Sequence, residues 1–292
     1  MGFSHDGSPL VGGEKEERKI IKAACVQMTS GPDVDENLKA VEGFIREAAE
    51  QGASFIATPE MTESVRRYTK DKLADASDKP TKLFSALAKE LNIWLLAGSF
   101  GIKITDDKLA NRSMLFAPDG TTRAHYDKIH MFDVTISRKE FYRESSEYEA
   151  GDQAVVADCD GVKLGMGICY DLRFPQLWRD LAQNCADILT APAAFTVPTG
   201  EAHWEVLLRA RAIETGCFVI APAQVGEHEA GRMTYGHSMI LSPWGEVLAE
   251  KESGTGIITA DLDLEDIEKA RTHIPALAHD REYTLKVMHE QK

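Results

Sequence analysis

Cys169 is the residue whose surroundings most clearly indicate chemistry. It lies in the segment 164–175, which reads LGMGICYDLRFP. The first half is typical of a buried strand, and Pro175 suits the first turn of a helix, where its missing N–H is not needed. The thiol is therefore expected where a strand ends, beside Asp171 and Arg173. Because ligands collect at strand ends in layered α/β folds, the pattern predicts that Cys169 is a nucleophile.

Two further ionisable side chains follow predicted strands. Glu60 ends a strand in the segment ATPEM, and Lys128 ends another in YDKIHMFD. A carboxylate partly removed from water is expected to have a raised pKa and to accept the thiol proton near neutrality. An ammonium beside it favours the thiolate and can stabilise a tetrahedral oxyanion. Glu60, Lys128 and Cys169 are thus predicted to act together in a cysteine hydrolase.

Two other kinds of site use the same cysteine. Histidine is the more familiar base, but the spacing of His203, His228 and His237 connects none of them to Cys169. A zinc-dependent hydrolase with Cys169 and His130 as ligands is the second alternative, and full activity in a chelator would exclude it.

The composition limits the class of protein. Of 292 residues, 43% are hydrophobic and 27% charged, as in an ordinary globular protein with a substantial core. The net charge of −14 argues against nucleic acid or an anionic membrane as the main partner. No apolar run reaches the roughly 18 residues of a membrane span. The five cysteines include no Cys-x-x-Cys pair, so we expect no disulfide framework and predict a cytoplasmic protein.

Strands and helices alternate along the chain, with a run of hairpins in the middle. Periodicity and turn residues predict helices that begin near Asp35, Lys82, Pro175, Gly200 and Leu264. The charged stretch from Ser137 to Gly151 is predicted to be a loop over the site. Residues 19–283 are predicted to form a single α/β domain, after a disordered extension (1–18) and before a C-terminal tail (284–292).

These motifs together resemble the nitrilase superfamily of carbon–nitrogen hydrolases. The resemblance runs from Ile20 to about Tyr283 and rests on the segments PE (59–60), KIHMFD (128–133), CYDLRFP (169–175) and YGHS (235–238). The segment AHWEVLLRARAIE (202–214) is similar to the amidase branch that contains deaminated-glutathione amidase and omega-amidase, and AQVG (223–226) followed by YGHS favours the former. The resemblance implies a four-layer αββα sandwich.

The resemblance also implies a mechanism. Glu60, Lys128 and Cys169 match the Glu-Lys-Cys triad of the superfamily, and Glu144, followed by Ser, matches its second glutamate. Glu140, Glu147 and Glu149 compete for that last assignment. The Cys169 thiolate is expected to attack an amide carbonyl and form a thioester, with acid and ammonia as products. Lys128 and the backbone N–H of Tyr170 are expected to stabilise the oxyanion.

The implied substrate is a small α-keto acid with a distal amide. Arg173 is expected to bind its carboxylate in a two-pronged fork, although a structural pair with Asp171 is an alternative. Tyr170, Phe195 and Thr199 are expected to line the pocket. The family resemblance further implies no metal or organic cofactor and at least a homodimer. Because of the net charge and the lack of a long apolar run, we expect no nucleic-acid or membrane partner.

The sequence alone leaves two questions: the effect of one departure from the superfamily pattern, and the choice among several functions. Residues Ile136-Ser137-Arg138 stand where the superfamily commonly has Pro-Gly, which leaves the pocket loop and the substrate fit undetermined. Deaminated glutathione is the first choice of substrate and 2-oxoglutaramate the second, followed by a nitrile or an N-carbamoyl amine. A catalytically silent binding module is the alternative from a different class.

Overall fold

The computed structural model describes residues 19–66, 78–138 and 140–288. The extension predicted for residues 1–18 and the last four residues of the predicted tail lie outside these ranges. The described residues contain five α-helices: α1 (Val34–Glu50), α2 (Lys79–Leu91), α3 (Pro175–Gln183), α4 (Val197–Thr215) and α5 (Glu265–His273). Each begins within three residues of its predicted position.

Two large sheets form the centre of the molecule. The first contains seven strands: β1 (Ile20–Gln27), β2 (Phe55–Ala57), β3 (Trp94–Lys103), β4 (Leu109–Phe116), β5 (Thr122–Asp127), β8 (Tyr148–Glu149) and β17 (Gly256–Asp263). Their order is β17-β1-β2-β3-β4-β5, with β8 beside β4. The neighbours β1, β2 and β3 are parallel, while β4 and β5 pair antiparallel.

The second sheet repeats this plan. Its six strands are β9 (Val155–Cys159), β10 (Val162–Met166), β11 (Ile188–Thr190), β12 (Phe218–Ala221), β15 (Ser238–Leu241) and β16 (Val247–Lys251). Their order is β16-β15-β12-β11-β10-β9, and the central three are parallel. Two hairpins lie outside both sheets: β6 (Asp133–Thr135) with β7 (Phe141–Arg143), and β13 (Val225–Glu227) with β14 (Met233–Tyr235).

Alternation along the strands produces the layers. In β1, Cys25 faces the second sheet, where its thiol donates to the carbonyl of Met239 at 3.8 Å. The adjacent Val26 packs instead with Ile45 of α1, on the opposite face. Helices α3 and α4 cover the second sheet, and Trp178 of α3 is fully buried there. Helix layers outside two central sheets confirm the αββα sandwich.

The charged stretch between residues 137 and 151 is not a continuous loop, so that prediction was wrong in part. Phe141–Arg143 forms β7 and pairs with β6, and Tyr148–Glu149 pairs with β4. The prediction failed because a short antiparallel hairpin can satisfy its backbone hydrogen bonds while its side chains stay partly exposed. In the part of the chain that the structure describes, no helix is long and apolar enough to span a membrane.

Gly98 in β3 allows the strand to pass directly against the segment that leads to Glu60. A Cβ at this position would lie 1.9 Å from the carbonyl oxygen of Thr58 and 2.4 Å from that of Pro59. Both contacts involve backbone atoms, which cannot be moved by a rotamer change.

We therefore predict that Gly98→Ala lowers the free energy of unfolding by about 2–3 kcal/mol, because the segment before Glu60 must shift. Urea unfolding measures this. The matched control is Gly43→Ala on the exposed face of α1, where nothing lies within 4 Å of the added Cβ. That variant should gain about 0.5–1 kcal/mol from reduced chain entropy. A Gly98→Ala protein as stable as wild type would contradict the steric argument.

Candidate active site

Glu60, Lys128 and Cys169 follow the carboxyl ends of β2, β5 and β10, and the structure brings all three together. The Lys128 ammonium lies 2.9 Å from Oε1 of Glu60. The Cys169 thiol donates a hydrogen bond to the Glu60 carboxylate. The side chains are almost completely buried, with 4% of Glu60, 1% of Lys128 and 7% of Cys169 exposed. The spatial grouping predicted from the strand ends is thus present.

Glu144 completes the cluster. Its two carboxylate oxygens lie 3.0 and 2.8 Å from Nζ of Lys128, so the ammonium is held between two carboxylates. The backbone N–H of Phe132 donates to Oε2 of Glu144 at 2.7 Å. Of the glutamates considered from the sequence, Glu144 is therefore the one that contacts Lys128.

Asn111 on β4 is a member of this cluster that sequence reasoning missed. Its Nδ2 donates to Oε1 of Glu60 at 2.9 Å and to Oε1 of Glu144 at 3.0 Å. Its backbone carbonyl oxygen also accepts a hydrogen bond from the backbone N–H of Lys128 at 3.0 Å. No local pattern in the sequence marks it, because β4 also contains Arg112 and Ser113; only its burial shows that the side chain requires polar partners.

The nucleophile stands on a strained turn. Cys169 has a φ of 48°, in the left-handed region that costs energy for a residue with a Cβ, and it opens a 3₁₀ turn at Cys169–Arg173. Its N–H donates to the carbonyl of Pro192 at 2.9 Å. Because Ala194 lies two residues further along that segment, its N–H reaches Oε2 of Glu60 at 2.9 Å. One loop thus holds both the cysteine and the glutamate.

Asp171 fixes this turn from below. Its carboxylate accepts from Ile168 N–H at 2.8 Å, from the Tyr126 hydroxyl at 2.7 Å and from His130 N–H at 3.1 Å. The Nδ1 of His130 also lies 2.7 Å from this carboxylate. The alternative pairing of Asp171 with Arg173 is therefore wrong, because other donors occupy the carboxylate.

The same contacts bear on a zinc-dependent mechanism. Asp171 engages His130 as a structural partner, which removes that ring nitrogen from a ligand set with Cys169. Within residues 19–66, 78–138 and 140–288, no group of three or more His, Cys, Asp or Glu side chains is arranged to hold a metal ion. The described residues therefore offer no ligand set for that alternative.

Electrostatics determines which group carries the proton. Burial raises the pKa of the Cys169 thiol, and the Glu60 carboxylate raises it further, so it lies well above its ordinary value despite Lys128. Burial acts to raise the pKa of Glu60, but the Lys128 ammonium and three hydrogen bonds outweigh it and lower the pKa. Burial acts to lower the pKa of Lys128, and the two carboxylates raise it well above normal.

The resting site is therefore an ionised Glu60, a charged Lys128 and a neutral Cys169 thiol. This corrects the expectation that burial leaves Glu60 with a raised pKa. Lys128 does lower the pKa of the Cys169 thiol, as expected, but burial and the Glu60 carboxylate outweigh its effect. The sequence argument considered desolvation alone, whereas the ion pair and the hydrogen bonds reverse its sign for Glu60.

The predicted substrate-binding side chains line one cavity of about 640 Å³ above the cysteine. Tyr170, Arg173, Phe195 and Thr199 all contribute to its wall. The Arg173 guanidinium carbon lies 5.8 Å from the Tyr170 ring centre and 5.4 Å from that of Phe195. Its Nη1 is 3.2 Å from Nδ1 of His203, so one nitrogen of the guanidinium already has a neighbour within hydrogen-bond distance. Arg173 is thus positioned on an aromatic wall close to the nucleophile.

Comparison with known proteins assigns the family. The sequence model of the carbon–nitrogen hydrolase family matches residues 22–272. The chain belongs to this family and is a hydrolase of carbon–nitrogen bonds.

Two relatives show the level of similarity. The deaminated glutathione amidase of Mus musculus is 41% identical over 267 residues, which cover 88% of this chain and 82% of the relative. The enzyme of the same name from Synechocystis sp. is 40% identical over 265 residues, 88% of this chain and 97% of the relative.

Solved structures share the fold. The C. elegans NitFhit protein has a TM-score of 0.86 and 36% identity, over 90% of this chain and 66% of that chain. Saccharomyces cerevisiae Nit3, a member of branch 10 of the nitrilase superfamily, has a TM-score of 0.79 and 30% identity, over 88% of this chain and 95% of its own.

The direction of the Cys169 pKa shift yields a prediction. Because the Glu60 carboxylate raises the thiol pKa, Glu60→Gln removes a negative charge and leaves Lys128 in place. The thiolate should therefore form at lower pH in Glu60→Gln than in wild type. Ultraviolet absorbance of the thiolate, recorded against pH, measures the midpoint.

Four other cysteines require a control. Cys169→Ser in each background provides the spectrum to subtract, so that the difference reports Cys169 alone. A midpoint that stays in place or moves to higher pH in Glu60→Gln would contradict the resting charges described above.

Proposed function

We propose that this protein is a cysteine-dependent amidase with deaminated glutathione as its substrate. The observation that carries the proposal is the buried cluster in which Lys128 lies between Glu60 and Glu144 beside the Cys169 thiol. The cluster supports attack on an amide carbon, because it combines a nucleophile, a proton acceptor and a cation for the oxyanion. The choice of substrate is supported by relatives at about 40% identity that bear this name.

In the first half of the proposed reaction, the Cys169 sulfur bonds to the amide carbon while its proton passes to Glu60. The negative charge moves from Glu60 to the carbonyl oxygen, where Lys128 and the backbone N–H of Tyr170 receive it. Proton transfer concerted with attack requires no free thiolate, which suits a thiol with a raised pKa. When the intermediate collapses, the C–N bond breaks and the nitrogen takes the proton from Glu60. The product on the enzyme is a thioester.

The second half reverses these transfers with water. Glu60 takes a proton from the water whose oxygen bonds to the thioester carbon. The C–S bond then breaks, and the departing sulfur recovers the proton from Glu60. Glu144 acts here as a positioning residue, since it holds Lys128 through two contacts of 2.8 and 3.0 Å.

The leaving group depends on the substrate. In 2-oxoglutaramate the scissile nitrogen is a primary amide and leaves as ammonia, as the sequence-based hypothesis assumed. In deaminated glutathione the same 2-oxoglutaryl group is joined to the amine of cysteinylglycine, so a dipeptide amine leaves instead. Both substrates present an α-keto carboxylate on the acyl side, for which we propose Arg173 as the ligand.

We further propose a homodimer in a reducing compartment such as the cytoplasm. The five cysteines are all free thiols, which supports the compartment. An exposed apolar surface on α4 and its neighbours supports the dimer; it contains Val206, Ile213, Trp244 and Ile274, each more than half exposed.

The dimer proposal predicts twice the mass of one chain in light scattering. Ile213→Glu and Ile274→Glu together should shift the mass toward one chain, because two charges would be buried at the interface. The matched control is Leu248→Glu on β16, which is 40% exposed and lies in the second sheet. A wild-type protein of monomeric mass would contradict the proposal.

A side-by-side comparison of substrates tests the reaction. We predict the highest kcat/KM for deaminated glutathione, then 2-oxoglutaramate, with a simple nitrile and an N-carbamoyl amine far below. Cys169→Ser should remove activity on all four, since the poorer nucleophile occupies the same place. Product release and mass-spectrometric trapping of a thioester on Cys169 measure this.

Three outcomes would contradict the proposal in different ways. A nitrile that outperforms both amides would reassign the reaction. A preference for 2-oxoglutaramate would keep the mechanism and change the substrate to that of an omega-amidase. No turnover on the panel and no thiol trapping would support a silent binding module instead.

A further inference from the structure

Arg232 lies in the wall of the cavity that Cys169 and Arg173 also line. It follows a short 3₁₀ turn at Glu229–Gly231 and directly precedes β14. Its Nη2 donates to the carbonyl of Ala194 at 3.2 Å, and its guanidinium carbon lies 5.5 Å from the Tyr142 ring centre. Its Nε is buried and has no hydrogen-bond acceptor among the described residues.

The Arg232 guanidinium therefore has an N–H donor without an acceptor among the described residues. Each of its N–H groups prefers an acceptor, and a buried donor without one destabilises the folded protein. A carboxylate is the acceptor whose geometry matches the guanidinium fork. The unfilled donor capacity in a cavity wall therefore indicates an anionic group of the ligand.

The other arginines in the wall are engaged differently. Arg143 uses Nη1 for the carbonyls of Val134 and Tyr142, at 3.1 and 2.7 Å. Arg66 donates through Nε to the Ser64 hydroxyl at 3.2 Å. Of the arginines that line the cavity in the described part of the chain, Arg232 alone has a buried nitrogen with no partner.

Position relates Arg232 to the leaving group. The N–H of Ala194 donates to Glu60, which is proposed to protonate the departing nitrogen, and the carbonyl of the same residue accepts from Arg232. Arg173 lies between the rings of Tyr170, the neighbour of Cys169, and Phe195, and is proposed as the ligand on the acyl side. A dipeptide leaving group spans at most about 7 Å when extended. This length fits a substrate whose scissile nitrogen lies near Glu60 and whose terminal carboxylate lies near Arg232, because Ala194 contacts both side chains.

The segment that carries Arg232 is firmly attached. The ring nitrogens of His228 contact the carbonyl of Ser30 at 2.9 Å and the Thr234 hydroxyl at 2.7 Å. Tyr235 N–H donates to the carbonyl of Phe195 at 2.9 Å. The guanidinium is thus held at a defined distance from the wall that contains Ala194 and Phe195.

We propose that Arg232 binds the terminal carboxylate of the leaving dipeptide, and so selects a carboxylated amine leaving group over ammonia. The inference rests on the proposed function, because it assumes that the scissile nitrogen belongs to cysteinylglycine. It assigns two carboxylates of one substrate to two arginines, with Arg173 on the acyl side and Arg232 on the leaving-group side.

The experiment compares deaminated glutathione with the same compound carrying a terminal carboxamide. Wild type should prefer the acid by about 10- to 100-fold in kcat/KM, the range of a charge-assisted hydrogen bond. Arg232→Gln should show a ratio near one, whatever its overall activity, and Arg232→Lys should keep part of the preference. Because the readout is a ratio of two substrates within one protein, a general loss from misfolding cancels.

Arg143→Gln is the matched control, since that side chain lines the same cavity with its donors on backbone carbonyls. It should keep the preference of wild type. An unchanged preference in Arg232→Gln, or no preference in wild type, would overturn the inference and leave the proposed function standing. Failure of wild type to hydrolyse deaminated glutathione at all would overturn both.

Discussion

The buried ammonium of Lys128 is the constraint on which the rest of the site depends. Removing an ion from water costs several kcal/mol, and the cost is offset only when opposite charges and hydrogen bonds surround the ion. Lys128 is 1% exposed and contacts two carboxylates. Those carboxylates are themselves buried or nearly so, so each needs further donors, and Asn111 and backbone N–H groups supply them. A lost partner would leave a buried charge uncompensated.

This requirement connects the two sheets. Glu60 and Lys128 follow strands of the first sheet, whereas Cys169 and Ala194 follow strands of the second. The hydrogen bond from Ala194 N–H to Glu60 and the contact between Glu60 and Cys169 cross between the sheets. The relative position of the sheets therefore sets the distance between nucleophile and base. Asp171 accepts hydrogen bonds from Tyr126 of β5 and from His130 in the segment after it. These contacts stabilise the turn that holds Cys169 in its strained conformation.

The chemistry of the site and the selection of its ligands use different parts of the chain. In the proposed reaction, charge transfer involves the buried cluster, whereas the cavity wall comes from the β6–β7 hairpin, the segment 194–199 and the turn before β14. Turns of this kind can change without disturbing a buried ion cluster. This separation explains how one arrangement of glutamate, lysine and cysteine can serve substrates with different leaving groups.

Local sequence was sufficient for much of this description. Strand ends marked Glu60, Lys128 and Cys169: Glu60 and Cys169 follow short apolar runs, and Lys128 follows the strand after the Asp119-Gly120 turn. The helix starts were accessible through Pro, Gly and apolar periodicity. Asn111 was not accessible, because a lone asparagine in a strand has no local pattern. The β7 strand was missed because it is only three residues long and pairs with β6 through backbone atoms within a charged stretch.

By itself, then, the sequence determined which residues end the strands and which faces are apolar, since both depend on neighbours within a few positions. Tertiary structure decided which groups of the site carry a proton. The pKa of Glu60 lies below its ordinary value because the Lys128 ammonium and hydrogen bonds from residues 111, 128 and 169 meet the buried carboxylate and outweigh its burial. Coulomb energy depends on distance and on the surrounding medium, and neither is encoded locally. For the same reason, only the folded chain showed that Arg232, in the wall of the cavity, has a buried donor without a partner among the described residues.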